Sequence, residues 1–476
     1  MKELLRVCLV NPKLEGPYPP LGIGYLASYL RKYGGHSYAI KIVDGNCCVD
    51  IFREIIGFKP DLVGFTALSP QIKEAIDLSW ELKKYQKDIF QVIGGIHVSA
   101  LPEETLEKAG FEVGVLGEGE ETFCELVDLF AQGKLSIDAL RKIEGVCFKD
   151  EGSFYRSQPR PEISKLDMIP PPDRGLFNMQ HYLSYRLLVR GLTGDRITTV
   201  MGSRGCPYNC TFCSSKNVFK GVRQFSPEYI IAELKGLIKD YNVKAVFFTD
   251  DTFTINKERI RKFCNLLIDE GINRRLKWDV QGRADLINWK DLELLKLMKR
   301  AGCTQIDYGF ESGSEKILGL LKKDRVKLGD NQRAIAVTKA AGLSVMATFM
   351  LGTPGETEAD LKETEVFIEK NINHIDYFQT FIATPYPGTE LYDICKEKGI
   401  VSTDYLKEIE KERMQKGRIL VYTDTAAPDG VIKTLRHLNK IAAAKIRIRE
   451  KIGWLICNLI RNPFRVFDAI RLHYFG

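Results

Sequence analysis

The sequence predicts an α/β protein made of two successive parallel-sheet units, a doubly wound sheet followed by an open partial barrel, with a helical carboxy-terminal region. Three observations carry that expectation. Short apolar runs of strand length alternate with stretches whose apolar residues fall at helical spacing, the rhythm of a parallel sheet covered by helices. The rhythm breaks once, across a proline-rich stretch, and then resumes, which divides the chain. Glycines, acids and cysteines gather where the apolar runs end, and open α/β sheets and barrels place their ligands beyond those carboxyl ends.

The apolar run 6–11 reads as a buried first strand, and Pro17, Pro19 and Pro20 stiffen the loop after it. Residues 21–30 have helical spacing, stopped by Gly34 and Gly35. Strands follow at 38–44, 61–68, 90–95 and 112–117, with helices at 49–57 and 72–84 between them. Thr66, Ser69, Gly94, Gly95, His97, Gly117 and Gly119 lie at the ends of these strands, where glycine lets a bulky ligand approach the backbone. Residues 142–190 are broken by Pro159, Pro161, Pro170, Pro171 and Pro172 and read as a connector with short strand-like pieces.

The second unit begins with a strand at 197–201. Ser226 and Pro227 supply an N-cap and first-turn proline for a helix reaching about residue 241. Strands at 245–249, 277–281, 305–310, 345–351 and 377–382 alternate with helices at 257–270, 290–300, 331–341 and 358–371. That makes about six βα units, too few to close an eight-stranded barrel. The boundaries drawn are 1–140, a 141–190 connector, a 191–400 partial barrel and a 401–476 helical region rich in Lys and Arg.

At 476 residues the chain is long enough for two or three domains, and its apolar and charged fractions are ordinary for a globular protein. A net charge of +7 is too mild to argue for nucleic acid. The chain opens directly on a strand pattern rather than a leader, and no apolar run is long enough to span a bilayer, so a cytoplasmic location is expected. Twelve cysteines in such a chain point to metal or redox chemistry before disulfides. Three of them, Cys206, Cys210 and Cys213, have C-x3-C-x2-C spacing in a loop punctuated by Gly205, Pro207 and Asn209. Convergent thiolates suit soft metal centres, zinc or an iron–sulfur cluster. Three sulfurs leave one iron of a four-iron cluster open; for zinc, a fourth ligand is not evident nearby.

The cysteine triad, with aromatic Phe212 before its last member, resembles the signature of radical S-adenosylmethionine (SAM) enzymes. The later strand ends strengthen the resemblance: FFTDDTF at 247–253, GRAD at 282–285, GFESG at 309–313, GTPGET at 352–357 and TPYPGT at 384–389. Their order is similar to the subgroup with an amino-terminal cobalamin-binding domain, which includes anaerobic magnesium-protoporphyrin ester cyclase and hopanoid methylases. It covers roughly residues 1–400. It implies a Rossmann- or flavodoxin-like first domain, a [4Fe-4S] cluster on Cys206, Cys210 and Cys213, and SAM near Phe212, Asp250, Asp251, Arg283, Glu311, Gly352, Pro354 and Glu356. It also implies cobalamin near Thr66, Leu68, Ser69, Gly94, Gly95, Gly117 and Glu118.

One departure matters. Cobalamin domains that ligate cobalt from below carry a histidine after the first strand, and here that loop reads Asn11-Pro12-Lys13-Leu14-Glu15-Gly16. Cobalamin is therefore expected without a lower histidine from this loop, and His97 is read as a packed residue. The activity implied is an anaerobic methyl transfer to an unactivated carbon of a small-molecule or lipid-like substrate. A radical cyclase or rearrangement enzyme, or a methylthiotransferase acting on RNA, are the alternatives. An electron donor such as flavodoxin or ferredoxin is implied, nucleic acid is not an expected partner, and the basic apolar tail 454–474 is a candidate for peripheral membrane contact. No catalytic side chain is assigned.

Overall fold

The computed structural model of the chain describes residues 4–14, 16–184, 196–323, 325–401, 404–407 and 421–461, with side chains as far as residue 445. The two-unit α/β architecture is the one the sequence predicts. The amino-terminal sheet contains β1 (Leu5–Asn11), β2 (Tyr38–Asp44), β3 (Leu62–Thr66), β4 (Phe90–Gly94), β5 (Val113–Val115), β6 (Val146–Asp150) and β7 (Ser153–Arg156). Its order is β2-β1-β3-β4-β5-β6-β7, and the first five strands are parallel. The strand order reverses between β1 and β3, so both loops leaving that point diverge and open a crevice. The β-branched and apolar side chains of β1 are buried on both faces, as a parallel sheet between two helical layers requires.

The sheet runs past the residue-140 boundary. Residues 146–156 form the hairpin β6–β7, which pairs antiparallel on β5 and shields that edge. The helix Glu120–Ala131 is absent from the sequence reading. Its signal was legible: two acids in the first turn, then Phe123, Leu126, Val127 and Phe130 at helical spacing. The glycine-rich start of that segment reads as a ligand-binding strand end and masks the helix that follows.

The second sheet contains β8 (Ile197–Val200), β11 (Ala245–Phe248), β12 (Lys277–Gly282), β13 (Cys303–Glu311), β14 (Ser344–Leu351) and β15 (Tyr377–Ile382). These six are parallel and in sequential order, an open half-barrel. Between β8 and β11 a two-stranded ladder pairs β9 (Ser203–Arg204) with β10 (Arg223–Gln224) and brackets the cysteine loop. Trp278, Phe248, Phe253 and Phe263 form one aromatic cluster under the strand ends beside it. The long helix Pro428–Arg461 packs on β15, where Thr380 Oγ1 donates to Asn439 Oδ1 at 2.8 Å. Among the described residues no helix is long and apolar enough to cross a membrane.

Candidate active site

Five of the six strands of the half-barrel, β8 and β11 to β14, each deliver one element of the site at the carboxyl end. After β8 the chain turns through Gly205 at φ +80°, where a Cβ would lie 2.0 Å from the carbonyl oxygen of Gly221. Glycine is needed both for the left-handed backbone and for the close crossing that starts the cysteine loop. The loop is then stitched to the barrel through its backbone. Thr211 N–H donates to Leu321 O at 3.0 Å, and Leu391 N–H donates to Thr211 O at 2.9 Å.

Cys210 lies close enough to Cys206 and Cys213 to oppose their ionisation, and Cys206 acts on Cys213 in the same way. Burial raises the Cys206 thiol and pushes Cys213 up to about 11. Among the described residues no three Cys, His, Asp or Glu side chains meet at metal-bonding distance. What the loop offers a cluster is the chemistry of its donor set. Three soft ligands share one loop, and two buried cations face it, which offsets the charge of bound thiolates.

The first cation is Arg283, after β12. Its Nη1 donates to Cys210 Sγ at 3.4 Å, and its guanidinium lies 3.6 Å from the centre of the Tyr208 ring. Asp285 grips it at 3.0 and 3.2 Å. Burial opposes the charge, and Asp285 more than restores it. The second is Lys322, whose ammonium is 2.9 Å from Glu311 and 5.1 Å from the centre of the Phe212 ring. Burial works against this ammonium too, and Glu311 outweighs it. Glu311 closes β13 at φ +62°, a conformation that costs a side-chain-bearing residue energy and recurs at functional sites.

The two aspartates after β11 separate cleanly. Asp250 is fully buried and accepts from Gly202 N–H and Ser203 Oγ, both at 2.6 Å, so it fixes the start of the cysteine loop. Burial raises its carboxyl, against the pull of Arg259. Asp251 accepts from Ser215 Oγ at 2.5 Å, and its charge is felt by Cys206 and Cys213. Next to it, Thr252 Oγ1 is 3.4 Å from Cys206 Sγ.

After β14, Gly352 and Pro354 lie in a tight turn that Glu356 organises from within. Its Oε2 accepts from the amides of Gly352 and Thr353 at 2.5 and 3.0 Å. Burial lifts the Glu356 carboxyl to about 7. The segment 421–426 covers this turn, with Thr425 Oγ1 donating to Glu356 O at 2.5 Å. Glu356 therefore serves its own turn, whereas Asp251, Arg283 and Glu311–Lys322 converge on the cysteine loop.

A second feature abuts the first. A mainly apolar cavity of about 170 Å³ opens at the β1/β3 switch point, between Leu9, Phe65, Val92 and Val115. Thr66, Gly94, Gly95, Gly117 and Glu118 line it, and Met201, Arg204, Val218 and Phe219 from around the cysteine loop form its far wall. Gly95, at φ +104°, sits where a Cβ would be 2.8 Å from Ala67 O, so the loop after β4 can fold down beside the slot. Leu68 and Ser69 are not part of this lining. Leu68 is 41% exposed, and the buried Ser69 Oγ is 3.1 Å from His97 Nδ1. Burial lowers His97 to about 4 and keeps it neutral. The loop after β1 is likewise committed: Asn11 donates to Asp44 and accepts from Gln71, both at 3.0 Å. No histidine lines the slot among the described residues, and its lining, mainly apolar with glycines at the strand ends, is of a kind that can face a corrinoid held without one.

Glu118 faces the slot but is engaged by protein. Arg204 Nη1 and Arg223 Nη1 each reach it at 2.8 Å. Lys322, Thr252, Tyr208 and Arg204 were not legible as site residues. Lys322 lies in a Leu-Leu-Lys-Lys run indistinguishable from a solvated helix end.

Residues 200–368 match the radical SAM superfamily and residues 7–127 match the B12 binding domain. The chain is 35% identical over 415 residues to an uncharacterized methyltransferase of Pyrococcus horikoshii, covering 84% of this chain and 85% of that one. It is 28% identical to the anaerobic magnesium-protoporphyrin IX monomethyl ester cyclase of Cereibacter sphaeroides, over 85% of this chain and 65% of that one. Its fold is similar to that of the radical SAM methyltransferase TsrM from Kitasatospora setae, with a TM-score of 0.68 at 19% identity, over 83% and 76% of the two chains.

Proposed function

We infer the function from one premise, that the chain belongs to the radical SAM superfamily, in the group whose members carry an amino-terminal B12 binding domain. We propose that it transfers a methyl group to an unactivated carbon of a small-molecule or lipid-like substrate. The observation that carries this reading is the shared wall: residues 201–219 hold the three cysteines and also close the corrinoid slot. When bound, the cluster and cobalamin supply reductive cleavage of SAM to a carbon radical and a transferable methyl group.

The chain's own residues hold and orient these partners. Cys206, Cys210 and Cys213 are the proposed cluster ligands. Asp251 and Glu311 are the proposed acceptors for the amino group and ribose hydroxyls of SAM, and backbone groups of the turn at Gly352 and Pro354 are the proposed contacts to its adenine. Asp250 and Glu356 support the site by fixing the two loops. Thr66, Gly94, Gly95 and Gly117 leave room for cobalamin, and fixed geometry of this kind supplies most of what a protein adds to radical chemistry. A flavodoxin or ferredoxin is the proposed electron source. Peripheral membrane contact through 454–474 stands as a proposal on sequence alone, because those side chains lie outside the described set.

The relatives named as methyltransferases favour methyl transfer over cyclisation. A second cysteine triad of the methylthiotransferase kind is not favoured either, since Cys8 and Cys124 pack in separate hydrophobic clusters on opposite faces of the sheet. The test uses anaerobically reconstituted full-length protein, SAM labelled in its methyl group, and small-molecule and lipid extracts as substrates. Label incorporated into an extracted compound supports the proposal. Release of 5′-deoxyadenosine with unlabelled product would sink methyl transfer and leave cyclisation.

A further inference from the structure

The three thiols of the cysteine loop have unequal surroundings. Cys206 meets a neutral hydroxyl, that of Thr252. Cys210 is the buried member, 8% exposed, and it meets the guanidinium of Arg283. That guanidinium cannot wander: Asp285 holds two of its nitrogens, the Tyr208 ring covers its face, and Arg283 is itself 8% exposed. A donor fixed this firmly beside one ligand sulfur is more than the loop needs for folding, because the loop is already anchored through Thr211 at both backbone groups.

We propose that Arg283 is a positioning residue that sets the reduction potential of the cluster through its hydrogen bond to Cys210. The inference rests on the reading of the three cysteines as cluster ligands. Potentials of such clusters follow hydrogen bonds to the sulfurs, local charge and solvent exposure. The oxidised cluster takes one electron from its donor, with no bond made and no proton moved, so the added charge is all the surroundings must accommodate. A cation clamped at a buried sulfur stabilises the more negative, reduced state, and low local dielectric strengthens the effect. Asp285 and Tyr208 keep the fork aimed, which the flexible ammonium of a lysine would not reproduce.

The experiment is a redox titration of anaerobically reconstituted full-length protein, with dithionite and mediators, following the reduced cluster by electron paramagnetic resonance. Arg283→Gln is expected to hold the full iron and sulfide complement, while its ratio of reduced to oxidised cluster at fixed potential falls about tenfold, a downward shift of about 59 mV. Arg283→Lys, which keeps the charge but loses the fork, is expected between the two. Wild-type behaviour in a fully loaded Arg283→Gln variant overturns the inference while leaving the proposed function intact. If Arg283→Gln loads no cluster, Tyr208→Leu decides: a shift in the same direction of about threefold supports the inference, and an unshifted titration overturns it. A wild-type chain that takes up no four-iron cluster overturns the cluster reading and this inference with it.

Discussion

Arg204 Nη1 donates to Glu118 Oε1 at 2.8 Å, and this ion pair joins the amino-terminal sheet to the strand that leads into the cysteine loop. Both side chains are nearly fully buried, at 5% and 7% exposure. Arg204 Nη2 reaches Glu120 at 2.5 Å, and Arg223 meets the far side of Glu118. Burial opposes the Arg204 charge, and Glu120 and Glu118 more than offset it. The apolar slot and the cysteine loop are thus registered against each other by a buried cluster of charges two residues from Cys206.

Breaking that cluster leaves buried charge uncompensated. Arg204→Met is expected to lower stability by about 3–5 kcal/mol, the usual cost of removing one partner from a buried pair. Urea unfolding of the apoprotein measures it. A cost near that of an exposed pair, below about 1 kcal/mol, would contradict the packing described.

The two aspartates after β11 should respond differently. Asp250→Asn loses a buried acceptor for Gly202 N–H and Ser203 Oγ, and a cost of about 1–3 kcal/mol is expected. Asp251→Asn is expected to unfold like the wild type but bind SAM about tenfold more weakly, a loss of about 1.4 kcal/mol. Urea melts paired with SAM titrations check both. The reverse pattern would exchange their roles.

Glu356 gives the fold a pH signature. Burial raises its folded-state carboxyl from 4.5 to about 7, so the folded state binds more protons than the unfolded state between those values. Its contribution is therefore complete below about pH 4.5 and is lost as pH rises towards 7 and beyond. Glu356→Gln keeps an acceptor for the Gly352 and Thr353 amides and cannot ionise. Unfolding free energies of the two proteins across that window should diverge in favour of the variant as pH rises, by about 3 kcal/mol at most. Parallel curves would show that Glu356 titrates normally.

Gly205 is a steric requirement. Gly205→Ala places a Cβ against Gly221 O in a left-handed backbone, and the reconstituted variant is expected to carry well under half the wild-type iron. Unchanged iron content would mean that the crossing relaxes.

The architecture was readable because parallel strands buried on both faces leave continuous apolar runs, and those runs end abruptly in glycine and acid. The cysteine loop was readable from its C-x3-C-x2-C spacing, and the strand-end motifs from their place just after the apolar runs. What sequence could not supply was direction. Asp250 and Asp251 are adjacent and identical in type, yet one faces the interior and the other the cysteines. Ser69 stands at a strand end but is spent on His97. Arg204 acts through Glu118 and Glu120, more than eighty residues away, and Lys322 through Glu311, which lies across a strand end and a turn from it. No local pattern encodes such pairs.

The central claim is that Cys206, Cys210 and Cys213 hold a cluster that cleaves SAM. The most direct measurement is the 5′-deoxyadenosine released from SAM on reduction of anaerobically reconstituted protein, read beside its iron and sulfide content. The account predicts about four irons and four sulfides per chain, with release abolished when all three cysteines are changed to alanine. Stoichiometric zinc without sulfide, or release that persists in the triple variant, would contradict it.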